Sequence, residues 1–310
     1  MINVLSLFDG MSGARIALDK LGIPCKYYAC EIDKFAIKVS KKNYPDTIQM
    51  GSVTDLHWYD EGLHAHLQPK IDLLIGGSPC QGFSFAGNQL NFDDERSKLF
   101  FEYVRILKET KPKYFLLENV RMSKQSQDVI SEALGVEPIV INSNLMSAQN
   151  RHRLYWTNIP FDMPTDKEIV LADILEDGIT DRTKSHCLDA NYFKGGNLKS
   201  YFEKHRRQLV FSEEGLCHVG SADLNGHDSM KRVYHATGKA PTVNTCTGGN
   251  REPKVFVAPY NWRKMTPLEC ERLQTVPDGY TEGVSNTQRY KMLGNGFTVD
   301  VIAHILKGIK

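Results

Sequence analysis

Across residues 1–160, short apolar runs alternate with amphipathic ones, and this narrows the fold more than any other feature of the 310-residue chain. The strand-like runs are 3–8, 26–32, 47–53, 71–76, 114–119, 138–142 and 154–158, with Gly, Pro, Asn or Asp at most of their ends. Runs of this kind suit strands buried on both faces, as in a parallel sheet. Between them, helical spacing covers 14–21, which stops at Gly22 with Pro24 beyond, and 34–42, which stops before Asn43. It also covers 95–109, which stops before Lys111-Pro112. Strands separated by helices predict an α/β fold, a doubly wound and mostly parallel sheet. Such sheets bind ligands outside the carboxyl ends of their strands, so chemistry is expected there.

The texture changes after Pro160. Residues 161–258 show weak periodicity, paired glycines (Gly195-Gly196, Gly248-Gly249) and short polar runs, and read as a smaller, loop-rich domain. Helical spacing resumes over 266–274 and 298–307, so residues 259–310 are expected to rejoin the first domain, 1–160. The 38 Lys and Arg nearly balance 37 Asp and Glu, with 41% hydrophobic residues. That excludes a disordered chain and a wholly basic nucleic-acid binder, so any basic surface is local. No stretch nears the roughly 18 apolar residues that span a bilayer, and the start lacks the basic region of a signal peptide. Seven cysteines with no Cys-x-x-Cys pair fit a reducing compartment. Neither they nor His57, His64 and His66 have zinc-ligand spacing, so no metal is expected.

Several strand ends carry unusual residues. The first is followed by Phe8-Asp9-Gly10-Met11-Ser12-Gly13 and then a helix. Glycines there let backbone approach a ligand, and free amides at the helix start favour a negative group; a plain strand-to-helix turn would look similar. Glu31 ends the second strand about 20 residues further on, the offset at which an acid takes ribose hydroxyls, although a surface carboxylate fits too. The fourth run leads into Gly76-Gly77-Ser78-Pro79-Cys80-Gln81-Gly82-Phe83-Ser84. A lone cysteine is usually an inert small hydrophobe. This one sits in a polar, glycine-rich loop whose amides suit a thiolate, which favours a nucleophile. Glu118 closes the fifth strand; burial would raise its pKa towards the range of a general acid unless a partner holds it. Arg151 and Arg153, two apart on an extended chain, face the same side. A thiol, a carboxyl and an arginine at one sheet edge suit addition to an electron-poor ring.

These segments, in this order, resemble the DNA (cytosine-5) methyltransferases that use S-adenosylmethionine. Phe8–Gly13 is similar to the family's Phe-x-Gly-x-x-Gly cofactor loop and Glu31 to its ribose-binding acid. Pro79-Cys80-Gln81-Gly82-Phe83-Ser84 resembles the nucleophile motif, Glu118-Asn119-Val120 the Glu-Asn-Val motif, and Gln149-x-Arg151-x-Arg153 the Gln-x-Arg-x-Arg motif. Residues 265–274 and Gly294-Asn295 resemble the last two motifs. Three positions depart from the pattern. Ser52 stands where many members have Asp, Gly296 replaces the Ser of Gly-Asn-Ser, and Asp9 replaces the usual Ala, though one branch of the family has Phe-Asp-Gly.

The resemblance implies a Rossmann-like methyltransferase fold and transfer of a methyl group to C5 of a flipped-out cytosine in duplex DNA. The catalytic set would be Cys80, Glu118 and Arg153, with Arg151 nearby. The cofactor would be held by Phe8, Gly10, Met11, Gly13, Glu31, Ile32, Ser52, Val53, Pro79, Leu99 and Asn295. Residues 182–207 contain seven Lys or Arg against Asp189 and Glu203, interleaved with aromatics. Beside a base-modifying site, this cluster is expected to contact DNA through Arg182, Lys194, Lys199, Arg206 and Arg207, alongside Gln81, Ser84 and Arg251. Expected partners are double-stranded DNA and no membrane; a cognate restriction endonuclease would fit, as would a monomeric state. The compact length suggests a bacterial or phage member acting in the cytoplasm. Two alternatives stay open: the same chemistry on RNA cytosine, and a non-catalytic protein that keeps the cofactor and DNA sites.

Overall fold

The computed structural model describes residues 1–58, 68–78, 95–212, 218–221, 232–235, 254–256 and 262–309. Seven of its strands form one sheet: β1 (Ile2–Leu7), β2 (Cys25–Cys30), β3 (Ile48–Gly51), β4 (Leu73–Gly76), β5 (Tyr114–Val120), β6 (Ile139–Asn142) and β7 (His152–Thr157). Their order is β3-β2-β1-β4-β5-β7-β6. The first five run parallel, and β7 lies antiparallel between β5 and β6. The seven apolar runs of the sequence thus become the seven strands of a mostly parallel, Rossmann-like sheet. The ends shift by a residue or two. β7 starts at His152 rather than at 154, which brings Arg153 inside the strand.

Strand periodicity decides which side chain meets which layer. Successive residues point to opposite faces, and they divide between two apolar clusters accordingly. Val4, Leu73, Ile75, Leu116 and Tyr155 face one cluster; Leu5, Leu74, Leu117, Leu154 and Trp156 face the other. The second face is covered by Phe100, Tyr103 and Ile106 of α3 (Glu95–Thr110) and by Ile130 and Leu134 of α4 (Lys124–Leu134). α4 has no counterpart among the expected helices. Its ends are nonetheless written in the chain: the Ser123 side chain accepts a hydrogen bond from the Ser126 amide, and Gly135 closes it at φ 71°.

The first face is covered by α1 (Gly13–Lys20), by α2 (Lys34–Asn43) and by the C-terminal helices α6 (Pro267–Leu273), α7 (Asn286–Asn295) and α8 (Val299–Leu306). Side chains of the C-terminal helices share this cluster with residues of β1, β4 and β5. Pro267 at its first turn and the reciprocal Thr266–Glu269 capping box start α6 cleanly. Between sheet and return lie α5 (Leu198–Lys204), the antiparallel pair β8 (Leu209–Phe211) and β12 (Trp262–Lys264), and β9 (His218–Ser221), β10 (Arg232–His235) and β11 (Lys254–Phe256). Leu171, Ile174, Leu188, Tyr192 and Val210 belong to the first-face cluster, so the change of texture at Pro160 is not a break in the core. Among the described residues, no helix is long and apolar enough to cross a membrane.

Candidate active site

A cleft of about 470 Å³ opens at the carboxyl ends of β1, β2, β4 and β5. Ten of the expected cofactor residues line it: Phe8, Gly10, Met11, Gly13, Glu31, Ile32, Ser52, Val53, Leu99 and Asn295. So do Glu118, Arg151 and Arg153. Segments far apart in the chain converge here: the ends of β1, β2, β4 and β5, the start of antiparallel β7, and the helices α3 and α7.

The loop after β1 is tied from outside. The Gly10 amide donates to Glu31 Oε2 at 2.7 Å, while Glu31 Oε1 accepts the amides of Ile32 and Asp33 at 2.8 Å each. Asp33 caps α2 through the Phe35 amide at 2.9 Å and pairs with Lys291 of α7 at 2.8 Å. Burial, opposed by its hydrogen bonds from Phe35 and Lys291, still leaves the Asp33 carboxyl below the usual range. Ile32 is 77% exposed on the cleft wall, an apolar face open to a flat ligand.

Glu118 and Arg153 meet on the opposite wall. Antiparallel pairing places Glu118 opposite Tyr155, and Arg153, two residues before Tyr155, shares its face. The Arg153 Nε lies 3.1 Å from Glu118 Oε1, with both side chains almost buried. The buried Glu118 carboxyl thus has a charged partner. Burial alone would lower the Arg153 pKa, but the neighbouring Glu118 carboxylate, together with Cys187 and Tyr155, holds the guanidinium above its ordinary value. Gly77 makes room for this pair: a Cβ there would sit 3.2 Å from both Glu118 Oε2 and Phe297 Cε1. Asn119 reaches back to the Ser78 hydroxyl at 3.3 Å, linking the end of β5 to the segment that leads into Cys80.

Arg151 lines the same cleft, but its two terminal nitrogens are committed. They hold the Leu188 and Gly296 carbonyls at 2.9 Å each and Gly294 at 3.3 Å. Burial, with Arg153 adding to it, depresses its pKa. From its place in the cleft beside Arg153, Arg151 pins the 294–296 segment to the sheet. Gln149 does similar work from the same run, donating to the Leu273 carbonyl at 2.8 Å and accepting the Leu188 amide at 3.3 Å.

Pro79, Cys80, Gln81, Ser84 and Arg251 lie outside the described residues, as does the side chain of Lys199 on α5. The other expected DNA contacts divide in two. Arg182 pairs with Asp181 at 2.8 Å, donates to His186 Nε2 at 2.6 Å and lies over the Tyr201 ring; Arg207 sits 3.4 Å from Asp189. Lys194 and Arg206 are exposed, Arg206 with only a 3.9 Å approach to Asp189. Sequence reasoning missed Asp33, Ala36 and Phe297 of the lining and, on α7, Gln288, Lys291 and Met292, which line the cleft beside Asn295. For the α7 residues, helical spacing was the available signal, obscured by the polar run Asn286-Thr287-Gln288-Arg289 and by Gly294-Asn295 at the end. Among the described residues, no three His, Cys, Asp or Glu side chains gather as a metal site.

Comparison with known proteins agrees with this geometry. The family model for C-5 cytosine-specific DNA methylase matches residues 2–310. The type II methyltransferase M.HpaII of Haemophilus parainfluenzae is 32% identical over 327 residues, covering 96% of this chain and 86% of that protein. M1.ScrFI of Lactococcus lactis subsp. cremoris is 30% identical, covering 96% of this chain and 75% of its own length. In fold, the chain matches the solved methyltransferase EhMeth of Entamoeba histolytica with a TM-score of 0.67 at 16% identity, covering 100% of this chain and 99% of that one. With the sheet, the cleft and a match along the whole length, the chain belongs to the C-5 cytosine-specific DNA methylase family and is a DNA cytosine-5 methyltransferase.

Proposed function

We propose that the chain methylates a cytosine flipped out of duplex DNA by way of a covalent bond between Cys80 and ring carbon C6. C5 of cytosine is a weak nucleophile, and covalent addition at C6 is the way to activate it. In this reading the Cys80 thiolate forms the C6–S bond, and the displaced electron pair moves into the ring towards N3 and O2. Glu118 meets N3, hydrogen-bonding or protonating it as charge develops, and Arg153 supports both Glu118 and the O2 edge. C5 is left enamine-like and ready to take a methyl group. Loss of the C5 proton and expulsion of the sulfur then restore the ring.

S-adenosylmethionine, when bound, supplies an electrophilic methyl group on a sulfonium. The residues present fit it: Glu31 suits the ribose hydroxyls, Ile32 and Val53 offer apolar surface to adenine, and Gly10 and Met11 bring backbone close. Among the described residues, Glu31 also lines this end of the cleft without a cation paired to it, which favours a positively charged ligand. Gln81, Ser84 and Arg251 remain proposed DNA contacts. Of the basic cluster, exposed Lys194 and Arg206 are better placed for phosphates than Arg182 and Arg207, whose charges are already paired. Residues 161–258 serve as the target-recognition part, and base flipping costs a few kcal/mol of unstacking. The chain is proposed to work as a monomer, with a cognate endonuclease as a fitting companion.

The single observation that carries this reading is the buried Glu118–Arg153 pair in the same cleft as the glycine loop and Glu31. Labelled methyl transfer to duplex DNA, with transfer RNA as competitor, tests it. Cys80→Ala is expected to abolish transfer while S-adenosylmethionine still binds. A variant that methylates like the parent would remove Cys80 from the chemistry, and preference for transfer RNA would redirect the substrate.

A further inference from the structure

Three residues in the loop between β1 and α1 have positive φ: Phe8 at 56°, Gly10 at 59° and Ser12 at 64°. Glycine adopts such a conformation freely; serine does so against steric resistance. Ser12 stands at the N-cap of α1, yet its side chain makes no capping bond. It turns inward instead. Its Oγ donates to Asp9 Oδ2 at 2.5 Å and lies 2.6 Å from Ser40 Oγ of α2, with all three residues buried. The other Asp9 oxygen accepts the Tyr27 hydroxyl of β2 at 2.7 Å. Asp9 is thus joined to β2, to the start of α1 and, through Ser12, to α2. Between the two ends of this brace lie Gly10 and Met11, which line the cleft.

We propose that Asp9 and Ser12 are a coupled pair of positioning residues, the carboxylate holding the serine in a left-handed turn that glycine would adopt untethered. The pair presets the backbone of Gly10 and Met11 for the methyl donor. This rests on reading the cleft as the S-adenosylmethionine site. Neither side chain is asked to touch the donor. Each oxygen of Asp9 already takes a hydroxyl proton, and the titratable groups around it (Glu31, Cys30, Tyr27 and Tyr280) include no cation that its loss would strand.

Calorimetric titration of the full chain with S-adenosylmethionine and with S-adenosylhomocysteine, which lacks the positive charge, tests the pair. Asp9→Ala should weaken both ligands alike by roughly tenfold, the scale set by one untethered left-handed residue. Ser12→Gly in that background should return both to within about threefold of the parent. Asp9→Asn keeps one acceptor and should weaken binding less, again with rescue by Ser12→Gly; it serves if Asp9→Ala does not fold. Failure of Ser12→Gly to rescue, unchanged binding in Asp9→Ala, or loss confined to the charged ligand would each overturn the proposal. In all three cases the parent still binds and the cofactor reading stands. A parent chain that binds neither ligand would overturn both together.

Discussion

Glu118 and Arg153 show what a residue can and cannot announce in advance. A carboxylate ending an apolar strand is legible as a demand for a partner, and an arginine in Gln149-Asn150-Arg151-His152-Arg153 as a supply of charge. That the two meet depends on antiparallel pairing of β5 with β7, which no local pattern encodes. The same limit explains Arg151, whose carbonyl partners come from distant loops. Asp9 is the reverse case: visible as an odd residue in the loop, but its burial is a property of the fold. Burial raises its pKa from 3.8 to about 6, against the hydrogen bonds from Ser12 and Tyr27 that lower it. The folded chain then holds the proton to higher pH than the unfolded one, so stability from neutral Asp9 is full below pH 3.8 and lost as pH rises through 6. Asp9→Asn removes that dependence. The stability difference between Asp9→Asn and the parent should therefore shift in favour of the variant from pH 4 to pH 7, by on the order of 3 kcal/mol at most. Urea unfolding at a series of pH values measures it; parallel curves would mean that Asp9 is not titrating in this window.

At the level of elements, strands were easier to read than helices. Each strand is a short apolar run with a hard stop, and burial on both faces leaves little room for another assignment. α7 escaped because its buried residues, Tyr290, Met292, Leu293 and Gly294, follow a polar opening turn. It nevertheless forms one wall of the cleft, and its seating depends on Gly294. A Cβ there would lie 2.3 Å from the Asp189 carbonyl carbon and 2.4 Å from the Ala190 nitrogen, both backbone and unable to yield cheaply. Gly294→Ala should push α7 off the 189–190 segment and move Gln288, Lys291 and Asn295 with it. The expected cost is about 1–3 kcal/mol of stability. Weaker S-adenosylmethionine binding should accompany it. Thermal melts and calorimetry check both; an unchanged melt with unchanged affinity would show that the contact relaxes without consequence.

Across the whole molecule, one sheet gathers the chemistry because the chain returns to it three times: through the strand ends, through the Gln149–Arg153 run, and through the C-terminal helices. Gln149 and Arg151 fasten the last of these to the sheet with hydrogen bonds to the Leu273 and Gly296 carbonyls. The intervening segment, 161–258, joins that core through its early residues and carries exposed Lys194 and Arg206 outward. The role proposed for it in reading a DNA sequence rests on a basic, aromatic, loop-rich texture, since base readout depends on where loop side chains stand. The covalent step is the point on which the proposed mechanism turns. Duplex DNA with 5-fluorocytosine in place of cytosine blocks loss of the C5 substituent, so an adduct formed during methyl transfer persists through denaturation. Mass spectrometry of the digested complex formed with S-adenosylmethionine should find the Cys80 peptide joined through sulfur to a methylated fluoropyrimidine. Active enzyme that yields no such adduct, or one on another cysteine, would contradict it.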